Sequence, residues 1–130
     1  MKKHLEQARL YIQKASEDEV LLNKIVDDLD VSDNIFGFHA QQAIEKLLKA
    51  LLSTKSVRFK KTHNLRELMD LLAETGLPLP DPIAEIDYLT PYGALARYEN
   101  VPFNTPFDRR AARKLVRDVR SWVERVGDLD

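Results

Sequence analysis

The sequence predicts an all-α protein, an antiparallel up-and-down bundle of four to five helices formed by a single domain over residues 1–130. Apolar residues recur every three or four positions along most of the chain, which is the spacing of one helix face. Few segments alternate between apolar and polar residues, and the 4 glycines leave few tight hairpin turns. The composition, 44% hydrophobic and 32% charged, is typical of a globular domain with an apolar core.

The first two helices are predicted from periodicity and from capping residues. A three-to-four spacing of apolar residues covers residues 3–28. Ser32 or Asp33 can cap a second helix that runs to about residue 53, because their side-chain oxygens accept hydrogen bonds from the free N–H groups of a first turn. Its apolar stripe consists of Phe36, Ala40, Ala43, Ile44, Leu47 and Leu51.

A basic connection over residues 54–62 leads to the third helix. Asn64 and Glu67 have the spacing of a capping pair, and a run of leucines follows them. Gly76 is expected to end this helix, since glycine tolerates the left-handed conformation found after many helix C-termini.

Prolines mark the last two helical segments. Asp81 and Pro82 are expected to open the fourth helix, and Pro91 to break or kink it before a shorter piece continues to about Arg97. The last helix is expected to begin at Pro106, since proline is favoured at a first helical position. Its apolar stripe consists of Ala112, Leu115, Val119, Trp122 and Val126.

Charge is unevenly distributed, although the net charge is only −1. Residues 17–33 are acidic, and the last helix is basic. Its arginines at Arg110, Arg113, Arg117 and Arg120 share one helix face. Two interpretations remain open: the charged residues belong to complementary packing of the first and last helices or to a solvated face, or the basic helix contacts an anionic partner. The small net charge does not indicate avid binding to nucleic acid or to a membrane surface.

Several classes of chemistry are excluded by what the chain lacks. Without cysteine there is no disulfide, thiolate nucleophile or cysteine-ligated zinc, which fits a cytoplasmic location. The start of the chain turns polar at once, and no apolar run is long enough to span a bilayer, so neither a signal peptide nor a membrane association is expected. The three histidines show no metal-ligand spacing, and neither a metal nor a cofactor is expected.

A polar stripe runs along the second helix. His39, Gln42, Lys46 and Lys49 fall within roughly a quarter of the helix circumference at about 100° per residue. Imidazole, amide and ammonium groups on one face suit an anion or a nucleotide, because ammonium groups bind phosphate. The alternative is a solvated face, on which Glu45 supports Lys49 and Gln41 supports Glu45 as ordinary helix-surface pairs.

Two further pairs of residues carry possible chemistry. Arg58 precedes His63 by five positions, and histidine with arginine is a minimal set for metal-independent RNA cleavage. The histidine would move a proton at the 2′-hydroxyl, and the arginine would stabilise charge on the phosphate. His63 also stands at a helix start, where it can simply satisfy free backbone amides. Arg97 and Tyr98 form either a phosphate clamp or a helix C-terminal cap.

Three segments together resemble the HEPN domain (higher eukaryotes and prokaryotes nucleotide-binding). They are "FHAQQAIEKLLKALL" from residue 38, "KTHNLRELMDLL" after the basic connection, and "ARYEN" near the end of the fourth segment. Their order and spacing match that family over nearly the whole chain. The resemblance implies a bundle of four or five helices that forms a homodimer. It also implies a small prokaryotic protein paired with a minimal nucleotidyltransferase in a toxin–antitoxin-like module.

Many members of that family are metal-independent endoribonucleases, whose signature is an arginine followed a few residues later by a histidine in the late helices. Here no histidine follows Arg97, and none occurs after His63. Arg58 and His63 fit the spacing but precede the third helix. The resemblance therefore favours a non-catalytic member that binds a nucleotide or similar anion.

The expected ligand-binding residues are His39, Gln42, Lys46, Lys49, His63, Arg97 and Tyr98. Two alternatives remain. One is an endoribonuclease toxin that uses His63 with Arg58 or Arg97 on RNA, and the other is a purely structural dimeric interaction module.

Overall fold

The computed structural model describes residues 2–93 and 107–129, which form four α-helices and one 3₁₀ helix. The helices are α1 (Lys2–Ile25), α2 (Asp33–Thr54), α3 (Leu65–Glu74), the 3₁₀ helix (Ile83–Gly93) and α4 (Arg109–Gly127). No β-strand occurs within these two ranges. The predicted all-α helical bundle is therefore confirmed.

α2 is the central helix of the bundle. It packs against α1, α3, the 3₁₀ helix and α4, and 14 of its 22 residues are buried. Alanines at Ala40, Ala43 and Ala50 let neighbouring helices approach closely, while leucines fill the wider gaps between them. A helix that is buried on most sides has little surface left for polar residues, so any polar side chain on α2 needs a partner within the protein.

The capping residues define α2 and α3 as the sequence indicates. The Ser32 hydroxyl accepts a hydrogen bond from the Ile35 N–H at 3.2 Å, and the Asn64 side chain accepts one from the Arg66 N–H at 2.9 Å. Gly76 follows α3 with φ +83°, a left-handed conformation that favours glycine.

The fourth and last helices differ from their predicted forms. The fourth segment is a 3₁₀ helix that includes Pro91, and not an α-helix that breaks there. Its expected extension to Arg97 lies outside the described residues. α4 begins at Arg109 and not at Pro106, because the Asp108 carboxylate caps it by accepting from the Ala111 N–H at 3.0 Å. α1 ends at Ile25, three residues earlier than expected.

Charge pairs join the acidic part of the chain to the basic last helix. Arg120 donates hydrogen bonds to both carboxylate oxygens of Glu19, and these bonds raise the pKa of Arg120 above its usual range although burial opposes them. Arg110 pairs with Asp27 at 2.6 Å. The interpretation of complementary packing is therefore confirmed for these arginines.

Arg109 fixes the end of α1 to the start of α4. Its guanidinium donates to the backbone carbonyl oxygens of Ile25 at 2.8 Å and Asp28 at 3.0 Å, and also to that of Val31. It pairs with the Asp33 carboxylate at 2.8 Å. The carbonyl groups of Ile25 and Asp28, which also accept backbone N–H groups, thus find a second donor on a residue more than eighty positions away in sequence.

We expect Arg109→Ala to lower the free energy of unfolding by about 1.5–3 kcal/mol, because it removes a mostly buried guanidinium whose charged hydrogen bonds join the end of α1 to the start of α4. Urea denaturation followed by circular dichroism measures the change. Arg110→Ala is the matched control. Its side chain is 64% exposed and pairs with an exposed aspartate, so the loss should be below about 1 kcal/mol. Equal losses in the two variants would contradict the capping role of Arg109.

Candidate functional site

The polar side chains of α2 separate into two clusters around two buried carboxylates. The Asp18 cluster contains Asp18, His39 and Lys46, and joins α1 to α2. The Glu45 cluster contains Gln41, Glu45, Lys49 and His63, and joins α2 to the residues just before α3.

The Asp18 cluster lies at the α1–α2 interface and consists of one carboxylate with two partners. One carboxylate oxygen of Asp18 lies 2.9 Å from Nδ1 of His39, and the other accepts from Nζ of Lys46 at 2.7 Å. The His39 side chain is 27% exposed and the Lys46 side chain 22%. Both groups predicted to face a ligand thus have a carboxylate partner already.

In the Glu45 cluster, too, one carboxylate contacts a lysine and a histidine, but the carboxylate and the lysine are more buried. Oε2 of Glu45 accepts from Nζ of Lys49 at 2.9 Å, and Oε1 lies 2.9 Å from Nδ1 of His63. The side chains of Lys49 and Glu45 are 9% and 5% exposed, whereas that of His63 is 54% exposed. The cluster therefore runs from a buried ammonium group, through a buried carboxylate, to an imidazole at the surface.

Gln41 completes the Glu45 cluster. Its amide nitrogen donates to Oε1 of Glu45 at 3.0 Å and to the backbone carbonyl oxygen of His63 at 2.9 Å. Its amide oxygen accepts from Gln42 at 2.8 Å. Gly93, at the end of the 3₁₀ helix, lies so close to this amide that a Cβ there would meet it at 2.6 Å. One buried amide thus connects the histidine to the 3₁₀ helix.

The connection between α2 and α3, which leads in sequence to His63, carries exposed cations. Lys55, Arg58, Lys60 and Lys61 are exposed. In residues 2–93 and 107–129, none of their charged groups has an ion-pair partner. Phe59 holds the connection against the bundle through an aromatic contact with Tyr11, whose ring centroid lies 6.2 Å away.

A groove of about 460 Å³ lies between this connection and α3. One wall carries Arg58 and Lys60. The opposite wall carries the carboxylates of α3, namely Glu67, Asp70 and Glu74. The two walls have opposite charge, so the groove as a whole does not attract a polyphosphate.

The structure brings together only part of the predicted ligand-binding set. Lys49 meets His63 through Glu45, and Gln42 joins them through Gln41. His39 and Lys46 lie at Asp18 instead. Arg97 and Tyr98 fall outside the described residues.

For the alternative catalytic pair, the structure places Arg58 in the wall of the groove and His63 on Glu45. No hydrogen bond joins the two side chains.

Sequence reasoning missed the role of the two carboxylates and of Gln41. The pairs Gln41–Glu45 and Glu45–Lys49 form at the expected four-residue spacing, but their expected position on the helix surface is wrong. The available signal was the position of Gln41, Glu45 and Lys49 between core residues on both sides of the helix.

Within residues 2–93 and 107–129, no group of three or more histidine, aspartate or glutamate side chains is arranged to hold a metal ion. No helix in the same ranges is long and apolar enough to cross a membrane.

Comparison with known proteins gives one match. Neither curated proteins nor solved structures include a significant match to the chain. The family model described as the HEPN domain matches residues 1–128 of the 130-residue chain. Both the match and the resemblance of the α2 and α3 segments cover the residues of the Glu45 cluster. The chain therefore belongs to the HEPN domain family.

Proposed function

We propose that this HEPN bundle binds a nucleotide or similar phosphate-bearing anion at His63 and the adjoining basic connection. The observation that carries the proposal is the half-exposed imidazole of His63 at the end of a connection with four exposed cations that lack ion-pair partners among the described residues. Uncompensated lysine and arginine groups attract phosphate, and a histidine can add a directed hydrogen bond.

The surroundings indicate where on this surface the phosphate binds. Lys46 and Lys49 each already face a carboxylate, so their charge is largely compensated. The carboxylates on the α3 wall of the groove repel phosphate. The side of the connection nearest His63, which carries Lys60 and Lys61, is therefore the favoured position. In this proposal the buried residues Gln41 and Glu45 of α2 hold His63 in place by hydrogen bonds and do not contact the ligand.

Nucleotides at millimolar concentration should raise the melting temperature of the protein. Ligand at about ten times its Kd adds about 1.4 kcal/mol to the free energy of unfolding, by the relation RT ln(1 + [L]/Kd). We expect Lys60→Ala/Lys61→Ala to abolish the shift, which differential scanning fluorimetry measures with ATP and a nucleotide panel.

The control for this measurement is Lys14→Ala/Arg117→Ala. It removes the same charge from two exposed positions on α1 and α4, so the shift should persist. No shift with any nucleotide, or an equal loss in both double variants, contradicts the proposed anion site. An absent shift would favour the interpretation of a purely structural interaction module.

A second candidate is metal-independent RNA cleavage, and the hydrogen bond between Glu45 and His63 favours it. A carboxylate that orients a histidine is a common arrangement for proton transfer. In this candidate His63 moves the proton of the 2′-hydroxyl, and Arg58 or Arg97 stabilises the phosphate.

If this candidate is correct, the protein cleaves single-stranded RNA in the presence of EDTA, and His63→Ala abolishes cleavage. Gel analysis of a labelled RNA follows the reaction, and Lys14→Ala/Arg117→Ala should keep wild-type activity. Cleavage that survives His63→Ala would exclude His63 as the acid–base group and would point to a contaminating nuclease.

We also propose that the protein forms a homodimer and pairs with a minimal nucleotidyltransferase in a toxin–antitoxin-like module. Exposed apolar side chains support a protein interface. Leu5, Leu10 and Val20 of α1 are 42%, 45% and 54% exposed, and Leu29 in the following turn is 94% exposed. Leu10 and Val20 lie within about 80° of each other around α1, and neighbouring exposed apolar side chains are typical of surfaces that other chains cover.

We expect Leu10→Lys/Val20→Lys to dissociate the dimer or the complex, because it places two charges in an apolar interface. Light scattering after size-exclusion chromatography gives the mass of the protein alone and after co-expression with a minimal nucleotidyltransferase. Ala73→Lys/Ser121→Lys adds the same charge at exposed positions of α3 and α4 and should leave the mass unchanged. A monomeric wild type that does not co-elute with the nucleotidyltransferase contradicts this part of the proposal.

A further inference from the structure

We infer that Glu45 is a positioning residue for His63, and that it fixes the ring so that Nε2 faces the ligand. The inference rests on the proposed function, since it assigns the atom by which His63 meets the anion. It begins from the Glu45 cluster, in which a buried lysine and a surface histidine share one carboxylate.

The hydrogen-bond pattern determines which ring nitrogen carries the hydrogen. Glu45 receives Nζ of Lys49 on Oε2 and the amide nitrogen of Gln41 on Oε1. A carboxylate beside an ammonium group is ionised and can only accept hydrogen bonds. Nδ1 of His63, 2.9 Å from Oε1, must therefore be the donor. In the neutral ring this leaves Nε2 without hydrogen, so Nε2 can donate to a phosphate oxygen once it takes up a second proton, while Nδ1 keeps its bond to Glu45.

The backbone of His63 is fixed by the same cluster. Gln41 donates from one nitrogen atom both to Glu45 and to the carbonyl oxygen of His63. Both the ring and the backbone of His63 are therefore held by hydrogen bonds to α2, the most buried helix of the bundle. Because Nδ1 turns inward to Glu45 and the side chain is 54% exposed, the edge that carries Nε2 is the one left for a ligand.

Stability alone gives no reason for this arrangement. A buried ion pair is often no more stabilising than apolar side chains of the same volume, because both charges lose their hydration. Positions 45 and 49 lie among leucines and alanines of the core, and apolar residues would fit the pattern there. Orientation of His63 is what the carboxylate provides and an apolar side chain does not.

The second cluster of α2 provides an internal control. Asp18 holds Nδ1 of His39 and Nζ of Lys46 as Glu45 holds those of His63 and Lys49. Its histidine is only 27% exposed and belongs to α2 itself, not to the end of the basic connection. Both histidines should therefore carry hydrogen on Nδ1, but only His63 should affect anion binding.

Nitrogen-15 NMR of the imidazole rings tests the inference directly. At a pH where the rings are neutral, His63 should show the Nδ1–H tautomer. In Glu45→Met/Lys49→Met, where no acceptor remains, the ring should sample both tautomers. The double substitution keeps the volume and leaves no unpaired buried charge, so the protein should fold, and its melting temperature verifies this. His63→Ala identifies the His63 signals.

Nucleotide affinity gives the second readout. We expect Glu45→Met/Lys49→Met to weaken the affinity roughly tenfold, because the ring loses the charge-assisted hydrogen bond that orients it. Asp18→Ala/Lys46→Met removes the acceptor of His39, so that ring should sample both tautomers, while both His63 and the affinity should stay unchanged. A wild-type His63 in the Nε2–H form overturns the inference, as does an unchanged tautomer in the Glu45→Met/Lys49→Met variant.

The two proposals fail in different ways. If the wild type shows no nucleotide affinity but its His63 signals follow the expected pattern, the anion site is wrong and the positioning role of Glu45 stands. If the wild type binds nucleotide and the Glu45→Met/Lys49→Met variant binds equally well, the anion site stands and the positioning role is overturned.

Discussion

The carboxylate of Glu45 is the group around which the Glu45 cluster is arranged. A buried carboxylate without partners costs several kcal/mol, so the fold must bring donors to it. Three donors reach it, from Lys49, Gln41 and His63. The first two come from neighbouring turns of the same helix, but His63 comes from the connection before α3. One buried charge thus fixes the end of that connection on α2, while the contact of Phe59 with Tyr11 holds its middle.

The central position of α2 explains why this charge is buried. Helices pack around α2 on most sides, so positions that would be solvated on a peripheral helix lie inside here. Close approach requires small residues at particular points. At Gly37 a Cβ would meet the ring of Tyr92 at 2.2 Å, and at Gly93 it would meet the amide of Gln41 at 2.6 Å. Glycine at these two positions lets the 3₁₀ helix lie directly on α2, next to the Glu45 cluster.

The sequence allows the helices and most of the core to be predicted, because apolar periodicity and capping residues are local signals. Asn64 and Ser32 cap their helices as expected. Burial of Glu45 and Lys49 could not be predicted in this way, since a four-residue pair on a helix has the same pattern at the surface and in the core.

Similarly, α4 begins at Arg109 because Asp108 caps it, whereas Pro106 is an equally good local start signal. Which of two adequate signals is used depends on tertiary contacts, here those of Phe107 with Phe36 and Tyr92. The guanidinium of Arg109 could not be assigned to the end of α1 either, because its acceptors lie far away in sequence.

The two clusters of α2 show how surroundings divide chemically equal groups into different roles. Each contains a carboxylate between a histidine and a lysine, with nearly the same distances. Around Asp18 the three groups bond to one another between α1 and α2, so their role is to join these two helices. Around Glu45 the lysine is buried while the histidine is exposed at the end of a connection whose cations lack ion-pair partners among the described residues. A polar stripe on a helix therefore becomes a candidate site only where its buried partners direct one group outward, towards charge that the described part of the protein leaves uncompensated.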